Sequence, residues 1–572
     1  MKRWRTVAVG EAEAGELARL TGLALPLAGA LWRRGVRSAS DADRFLKPRL
    51  SDLADPFQLP GMELAVGRIW KAIDGGEPIA VYGDYDVDGV TGTALLVMVL
   101  RKLGGRVNSY LPNRIEEGYG LDEESLARCL ESCRPRLIVT TDCGTGSRAA
   151  VEAARAAGVD VVITDHHRVS DPATNAVAVV NPQLGEDKAA RMLSGVGVAF
   201  KLCHALLKTG RDRGVAAAAE LDLRPYLDLV ALGTIADVVP ALEENRILVR
   251  HGLACLNRRG REGLRALADV AGVNGELGAY HVGFVLGPRM NAAGRMGDAE
   301  TALNLLLTDQ ADKARPLALA LDEANRARKR TETEILDSAI ERIDAWFDPD
   351  VHFGIVVGET GWHVGVVGIV ASRLAARYGR PAVVIGFDEN GMGRGSCRGI
   401  SGLDLMACLN ACAVHLNGYG GHEKAAGLEI EQTKFGRFRE AFHDACASAL
   451  KGCDLSPALD IEGWVRPDDI ADLRFSDALD LMAPFGEGNP EPVWGVRDLR
   501  VLGSPRIVGD NHLKLTLGTG AVQMDAIGFD MGEREVPSGP LDVAAIVRKN
   551  TFMGRTAAQL QLRDFRPAAP GV

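Results

Sequence analysis

Residues 81–92 read VYGDYDVDGVTG, which sets three aspartates, Asp84, Asp86 and Asp88, at alternate positions just after the apolar run Ile79-Ala80-Val81. Ionised carboxylates this close repel one another, so a positive partner must offset the cost. Three other stretches share this character. Asp142 follows RLIVTT (136–141) and precedes the turn CGTG, Asp165-His166-His167 follows VVIT, and Asp237 lies in GTIADVVP. In an open parallel sheet ligands bind where strands end, so loops distant in sequence converge there. Five or six carboxylates with one or two imidazoles form a ligand set for two divalent cations. Mixed oxygen and nitrogen ligation suits Mn²⁺ or Mg²⁺ better than structural zinc. Two such ions about 3.5–4 Å apart serve hydrolytic displacement at phosphorus, which points to phosphodiester or pyrophosphate hydrolysis.

The Asp-x-Asp-x-Asp-Gly spacing also occurs in calcium-binding EF-hand loops. That reading fails, because the glutamate such a loop needs at its end is Leu95 here and the segment follows a strand-like run instead of a helix.

The elements that must position these residues can be read from the apolar pattern. Residues 1–60 are helical in pattern and end in the break ADPFQLPGM. From 61 to 240 helix-like segments alternate with the runs PIAVYG, RLIVTT, DVVITD and AVAVVNP, as expected of a parallel sheet covered on both faces. A segment opening at Pro316 and free of Gly and Pro as far as Phe347 predicts a long helix, whose polar middle, Arg326 to Arg330, reads as a solvated spacer. A second α/β unit follows, with strands at FGIVVG and PAVVIGF. The last 115 or so residues alternate polar and apolar in HLKLTL and VQMDAIGF and predict a small β-barrel. The boundaries expected are 1–60 for the helical segment, 61–300 for the catalytic domain, 301–347 for the connecting helix, 348–453 for the second α/β domain and 454–572 for the barrel.

The chain has 572 residues and a net charge of −10, which argues against a protein that coats nucleic acid non-specifically but leaves room for local basic grooves. Ten cysteines without a CxxC pair suit a reducing, cytoplasmic setting. The apolar stretch LTGLALPLAGALW (20–32) is too short to span a bilayer and is interrupted by Pro26, so it reads as a buried helix with its turn.

In order and spacing, GDYDVDG, TTDCGTG, Asp165-His166-His167 and IADVVP resemble the four motifs of the DHH phosphoesterase superfamily. GPRMNAAGRMGDA (287–299), GWHVGVVGIVASRL (361–374), GRGSCRGI (393–400) and GYGGHEKAAG (418–427) resemble the RecJ branch and its DHHA1 domain. PFGEGNPEPVW (484–494) resembles the start of that branch's oligonucleotide-binding (OB) barrel. The resemblance implies an α/β protein, with a parallel-sheet DHH domain and an α/β DHHA1 domain joined by a long helix, plus a C-terminal OB-fold. It implies a 5′→3′ exonuclease specific for single-stranded DNA that needs Mn²⁺ or Mg²⁺ and acts in repair and recombination. By motif, Asp84, Asp86, Asp88, Asp142, His166 and Asp237 become metal ligands or their close supports, and His167 contacts the scissile phosphate. Arg114, Arg289, Asn291, Arg295, His363, Ser396, Arg398 and His422 become contacts to DNA or its 5′ phosphate. Single-stranded DNA is the implied partner, with a single-stranded-DNA-binding protein and a helicase as protein partners and a monomer as the working form.

Tyr82 stands where relatives often carry histidine, which puts one metal contact in question, and no further domain is expected after the barrel. Two rival readings use the same motifs: a small-nucleotide phosphodiesterase, which would need neither barrel nor long helix, and a non-catalytic DNA-binding scaffold, which would have lost ligands.

Overall fold

In the computed structural model the chain builds three larger β-sheets with helices around them, and residues 2–6, 10–113, 120–169, 171–173, 175–296, 299–520, 522–552 and 554–568 are described. One compact unit takes in 1–112, 119–287 and 458–572, and a second is built on 288–457.

The first unit holds five parallel strands, β1 (Pro78–Gly83), β2 (Arg106–Tyr110), β3 (Leu137–Thr141), β4 (Asp160–Thr164) and β5 (Ala178–Val180), in the order β2-β1-β3-β4-β5. Helices cover both faces of the central strands, so β1 and β3 read as unbroken apolar runs, with Ile79 opposite Leu137 and Val81 opposite Val139. Strand β2 is absent from the sequence reading. RVNSY is an edge strand that buries only Val107, and its polar alternation hides it.

Helix α1 (Val87–Lys102) begins at Asp86, whose carboxylate accepts from the amides of Asp88 and Gly89 at 2.9 and 3.2 Å. Every residue from Val87 to Val97 is buried, as in a helix that is apolar all round. Helices α2 (Gly195–Asp212) and α3 (Leu227–Ala236) pack on it, and α2 also reaches β3 and β4.

In the second unit, α4 (Ala311–Asp344) runs 34 residues, roughly 50 Å, and begins five residues before Pro316. Its middle is no solvated spacer. Asp322, Asn325, Arg328 and Glu332 are all buried. Arg328 Nη1 donates to Glu332 Oε2 at 2.6 Å, and Arg373 of α5 (Val367–Tyr378) pairs with Glu332 Oε1 at 2.5 Å. Charges that satisfy one another inside look like charges in water when only composition is read. Strands β6 (Ile355–Thr360), β7 (Ala382–Phe387), β8 (Met392–Arg398), β9 (Gly418–His422) and β10 (Ala425–Glu431) lie in the order β9-β10-β8-β7-β6, with only β6 and β7 parallel. The GRGSCRG stretch therefore belongs to an inner strand of this sheet.

The C-terminal sheet has seven strands: β11 (Gly463–Trp464), β12 (Trp494–Val501), β13 (Arg506–Val508), β14 (His512–Thr519), β15 (Val522–Gly528), β16 (Leu541–Phe552) and β17 (Arg555–Pro567). They follow the order β11-β12-β16-β17-β15-β14-β13, and a further pairing of β12 with β14 closes five of them into a ring. Leu513, Leu515 and Leu517 point inward from β14 at alternate positions, and Trp494 is wholly buried in the same core.

This ring shares its core with the start of the chain. Leu17, Leu27 and Leu31, from the helices Glu11–Thr21 and Leu25–Arg33, belong to one apolar cluster with Trp494, Leu515 and Phe565. The apolar stretch 20–32 thus ends up buried within a fold, and among the described residues no helix is long and apolar enough to cross a membrane. Strand Arg3–Thr6 pairs in parallel with Ala458–Ile461, and Arg34 pairs with Glu462 at 2.7 Å. Arg246 donates to the carbonyls of Phe45, Leu481 and Ala483 at 2.7, 3.1 and 3.0 Å. The ring is thereby tied into the unit that carries the acidic loops.

Candidate metal centre

Asp84 follows β1, Asp142 follows β3 and His166 comes two residues after β4. The ladder continues past the strand ends, with the Asp84 amide donating to Thr141 O at 3.3 Å and the Asp142 amide to Thr164 O at 3.0 Å. This holds neighbouring loops in register. Asp142 sits at φ +65°, a left-handed backbone that costs a non-glycine residue about 1 kcal/mol or more and turns its side chain inward. Asp237 departs from the expectation: it lies at the C-terminal end of helix α3, not at a strand end.

Three overlapping groups of ligand atoms lie within 4.8 Å of one another: Asp84, Asp86 and Asp142; Asp88, His166 and Asp237; and Asp142, His166 and His167. Asp142 belongs to two of them, and its Oδ1 is 3.1 Å from His166 Nε2. His166 Nε2 is also 3.5 Å from Asp237 Oδ2 and 3.9 Å from Asp88 Oδ2. The arrangement offers two adjacent cation positions with Asp142 between them.

The electrostatics call for those cations. Burial first, and then repulsion from Asp86, raises Asp88 to about 7, even though the amides of Gly195 and Val196 at the start of α2 donate to it at 2.6 and 2.9 Å. Burial and the facing carboxylates push Asp142 well above the usual range and Asp237 up to about 9, the latter at the negative end of a helix where a carboxylate is least welcome. Burial lowers His166 to about 4, which keeps its imidazole neutral and able to ligate. Asp142 Oδ1, His166 Nε2 and Asp237 Oδ2 are buried and make no hydrogen bond among the described residues. Buried polar atoms left without a hydrogen bond are costly, and a donor set of this chemistry fits Mn²⁺ or Mg²⁺.

Asp165 has a different task. Burial alone would raise its carboxyl, but the hydrogen bond from the His167 ring 2.7 Å away, and that ring's charge, bring it down to about 2. Burial pulls His167 down and Asp165 pulls it up further, so the ring ends above its ordinary value. Asp165 therefore fixes the His167 Nδ1 side, while 42% of the His167 side chain remains exposed.

Sequence reasoning missed Asp165 as an orienting group, and it missed Gly195 and Gly233, which leave room for the carboxylates, and the Gly195 and Val196 amides that hold Asp88. A β-carbon on Gly195 would fall 2.5 Å from Asp142 Oδ1, and one on Gly233 2.7 Å from Asp88 Oδ1. The signal available was SGVGV (194–198), a serine cap with small residues opening an apolar helix, which is how a helix end that receives an anion reads. Tyr82 points elsewhere: its ring stacks on Tyr110 at 5.4 Å and its hydroxyl donates to Gly120 O at 2.9 Å. It braces the sheet and takes no part in the ligand groups.

The remaining candidates lie in the second unit, apart from Arg114, which falls outside the described residues. Arg295 donates to Gly365 O at 3.1 Å, and His363 Nδ1 accepts from the Gly365 amide at 3.1 Å. A β-carbon on Gly368, in the first turn of α5, would lie 3.1 Å from Ser396 Oγ and 3.2 Å from Arg398 Nη2, so these three positions converge on a helix start. His422 ends β9, which carries the glycine-rich stretch, and lies across β10 from Arg398, in register through Ala425. Arg289 Nε donates to Asp322 at 2.9 Å, and Asn291 lies on the helix Gly287–Met296.

Comparison with known proteins gives three family matches: the DHH family N-terminal domain over 78–234, the DHHA1 domain over 350–448 and the RecJ OB domain over 461–564. The chain is 36% identical to the single-stranded-DNA-specific exonuclease RecJ of Bacillus subtilis, over 94% of this chain and 67% of that protein. It is likewise 36% identical to the protein of that name in Escherichia coli, over 93% and 94%. The crystal structure of RecJ in complex with Mn²⁺ from Thermus thermophilus superposes with a TM-score of 0.83 at 32% identity, covering 99% of this chain and 80% of that one.

Proposed function

We propose that this chain, which belongs to the RecJ family of single-stranded-DNA-specific exonucleases, removes 5′ mononucleotides from single-stranded DNA in the 5′→3′ direction, in DNA repair and recombination. The observation that carries the reading is the buried cluster of Asp84, Asp86, Asp88, Asp142, His166 and Asp237, whose ligand atoms fall into overlapping groups suited to two cations. Mn²⁺ or Mg²⁺ bound there would supply an activated water and neutralise charge on the scissile phosphate. The protein's part is positional. Asp142 holds the two positions together, the start of α2 fixes Asp88, and neutral His166 offers Nε2 to a cation. His167, oriented through Nδ1 by Asp165, presents its other ring nitrogen as a donor to a phosphate oxygen.

In the second unit we assign Ser396 and Arg398, on β8 beside the start of α5, to the 5′ phosphate. A helix start, a hydroxyl and a forked guanidinium are the groups that recognise such an end. Arg295, His363 and His422 support that surface, and Arg114, Arg289 and Asn291 remain DNA contacts by resemblance. The ten cysteines are free thiols, in keeping with a cytoplasmic setting, and we take a monomer as the working form, with a single-stranded-DNA-binding protein and a helicase as partners.

The test sets a 5′-labelled single strand, the same strand in a duplex and a cyclic dinucleotide each against the enzyme with Mn²⁺ and with EDTA. Release of mononucleotides from the single strand alone, and only with metal, is the expected outcome. Preferred cleavage of the cyclic dinucleotide would replace this reading with that of a small-nucleotide phosphodiesterase.

A further inference from the structure

Tyr280 and Phe284 are the two most exposed aromatic side chains among the described residues, at 65% and 71%. Four positions apart, they lie on one face of a short helical stretch, Ala279–His281 running into a π turn over Val282–Leu286. The opposite face, Val282 and Leu286, is fully buried. The usual division of such a helix would put polar residues outward, and here two rings face water instead. They stack on each other with centroids 5.2 Å apart and planes 26° from parallel. A π turn inside a helix recurs at functional sites.

The location adds a second observation. A β-carbon on Gly283 would lie 3.6 Å from the Ile235 side chain, and one on Gly287 3.4 Å from that of Ala236. These two residues close helix α3, and the next is Asp237 of the metal cluster. Val238 follows, 64% exposed and held at φ +60°, a genuine outlier for a β-branched residue. The ring pair therefore stands on the helix end that carries a metal-site carboxylate.

We propose that Tyr280 and Phe284 form a stacking platform for a base of the single strand close to the scissile phosphate, an inference that rests on the nuclease reading above. Every base has a π face, so a ring surface holds any sequence, which suits an enzyme that must degrade a strand whatever its composition. A base on the outer ring would continue the existing stack. Losing one such contact is expected to weaken strand binding about tenfold.

The experiment uses the full chain and a 5′-phosphorylated strand carrying 2-aminopurine at successive positions from its 5′ end, with binding read by fluorescence in EDTA and turnover read in Mn²⁺. The native protein should quench the probe strongly at one or two adjacent positions. Phe284→Ala and Tyr280→Ala should lose that quenching and raise KM about tenfold with kcat within about twofold. Phe284→Trp should keep both properties, and Phe284→Leu, apolar but without a π face, should behave as the alanine variant. Native KM in both alanine variants, or native KM in Phe284→Leu, would overturn the platform, the latter because it would make the surface a plain apolar contact. Position-specific quenching without strand cleavage by the native chain would sink the nuclease reading and leave the platform standing, so the two failures are distinguishable.

Discussion

His167 Nδ1 lies 2.7 Å from Asp165 Oδ1, and that same oxygen accepts from the backbone amides of His166 and His167 at 2.7 and 3.1 Å. One carboxylate thus sets the turn that presents both histidines and fixes the ring of the second. Asp165→Asn keeps the shape but loses the charge that favours protonated His167. We expect kcat to fall about 10- to 100-fold while strand binding holds, measured by single-turnover cleavage beside a gel shift. Unchanged kcat would remove His167 from the chemistry.

The second prediction concerns space. A β-carbon at position 195 would collide with Asp142, so Gly195→Ala should displace the carboxylate that joins the two cation positions. Mn²⁺ affinity should drop about 10- to 100-fold by titration calorimetry, with the circular dichroism spectrum intact. Native affinity would show that Asp142 is not shared.

Metal should also govern how stability varies with pH. Asp88, raised to about 7, and Asp237, raised to about 9, bind more protons folded than unfolded in the absence of metal. Where the folded state holds the extra protons, stability falls as pH rises, here from about pH 4 to about pH 9. Bound cations remove that slope. Tm in EDTA should therefore decline across this range. At pH 8, Mn²⁺ at a hundredfold over its Kd should raise Tm by about 5 °C. A Tm gap between metal and EDTA that stays constant with pH would contradict the assignment.

Arg246 supplies the fourth. Burial lowers its pKa to about 9, and it spends its donors on main-chain carbonyls of Phe45, Leu481 and Ala483. Arg246→Leu would leave those acceptors unpaired, at about 1–3 kcal/mol each. We expect a loss of several kcal/mol in urea unfolding, with the C-terminal ring coming loose first in hydrogen exchange. Because the ring shares its core with the N-terminal helices, cutting the chain near Gly452 would unfold more than the ring.

The parts of this fold legible in the sequence are those set by neighbours in the chain. The runs ending at Gly83, Thr141 and Thr164 announce both the strands and the loops that follow them, because a buried parallel strand must be apolar and its loop must carry the polar work. Asp237 is legible as a ligand candidate but not in its setting, since GTIADVVP reads equally as strand or helix and packing against α1 decides for the helix. The buried Arg328–Glu332 pair, and the core shared by Leu17 and Trp494, are settled by contacts between distant residues that no local pattern encodes. Asp165 was visible as a motif residue, yet its task depends on which ring nitrogen it faces, and that is geometry alone.

The central claim is that these carboxylates and imidazoles hold cations that do the cutting while other surfaces hold the strand. Turnover and strand binding measured on one preparation of Asp142→Ala test it most directly. The account predicts that Mn²⁺-dependent cleavage falls by about a thousandfold or more, while the strand Kd stays within about threefold of native. Cleavage near the native rate would contradict it.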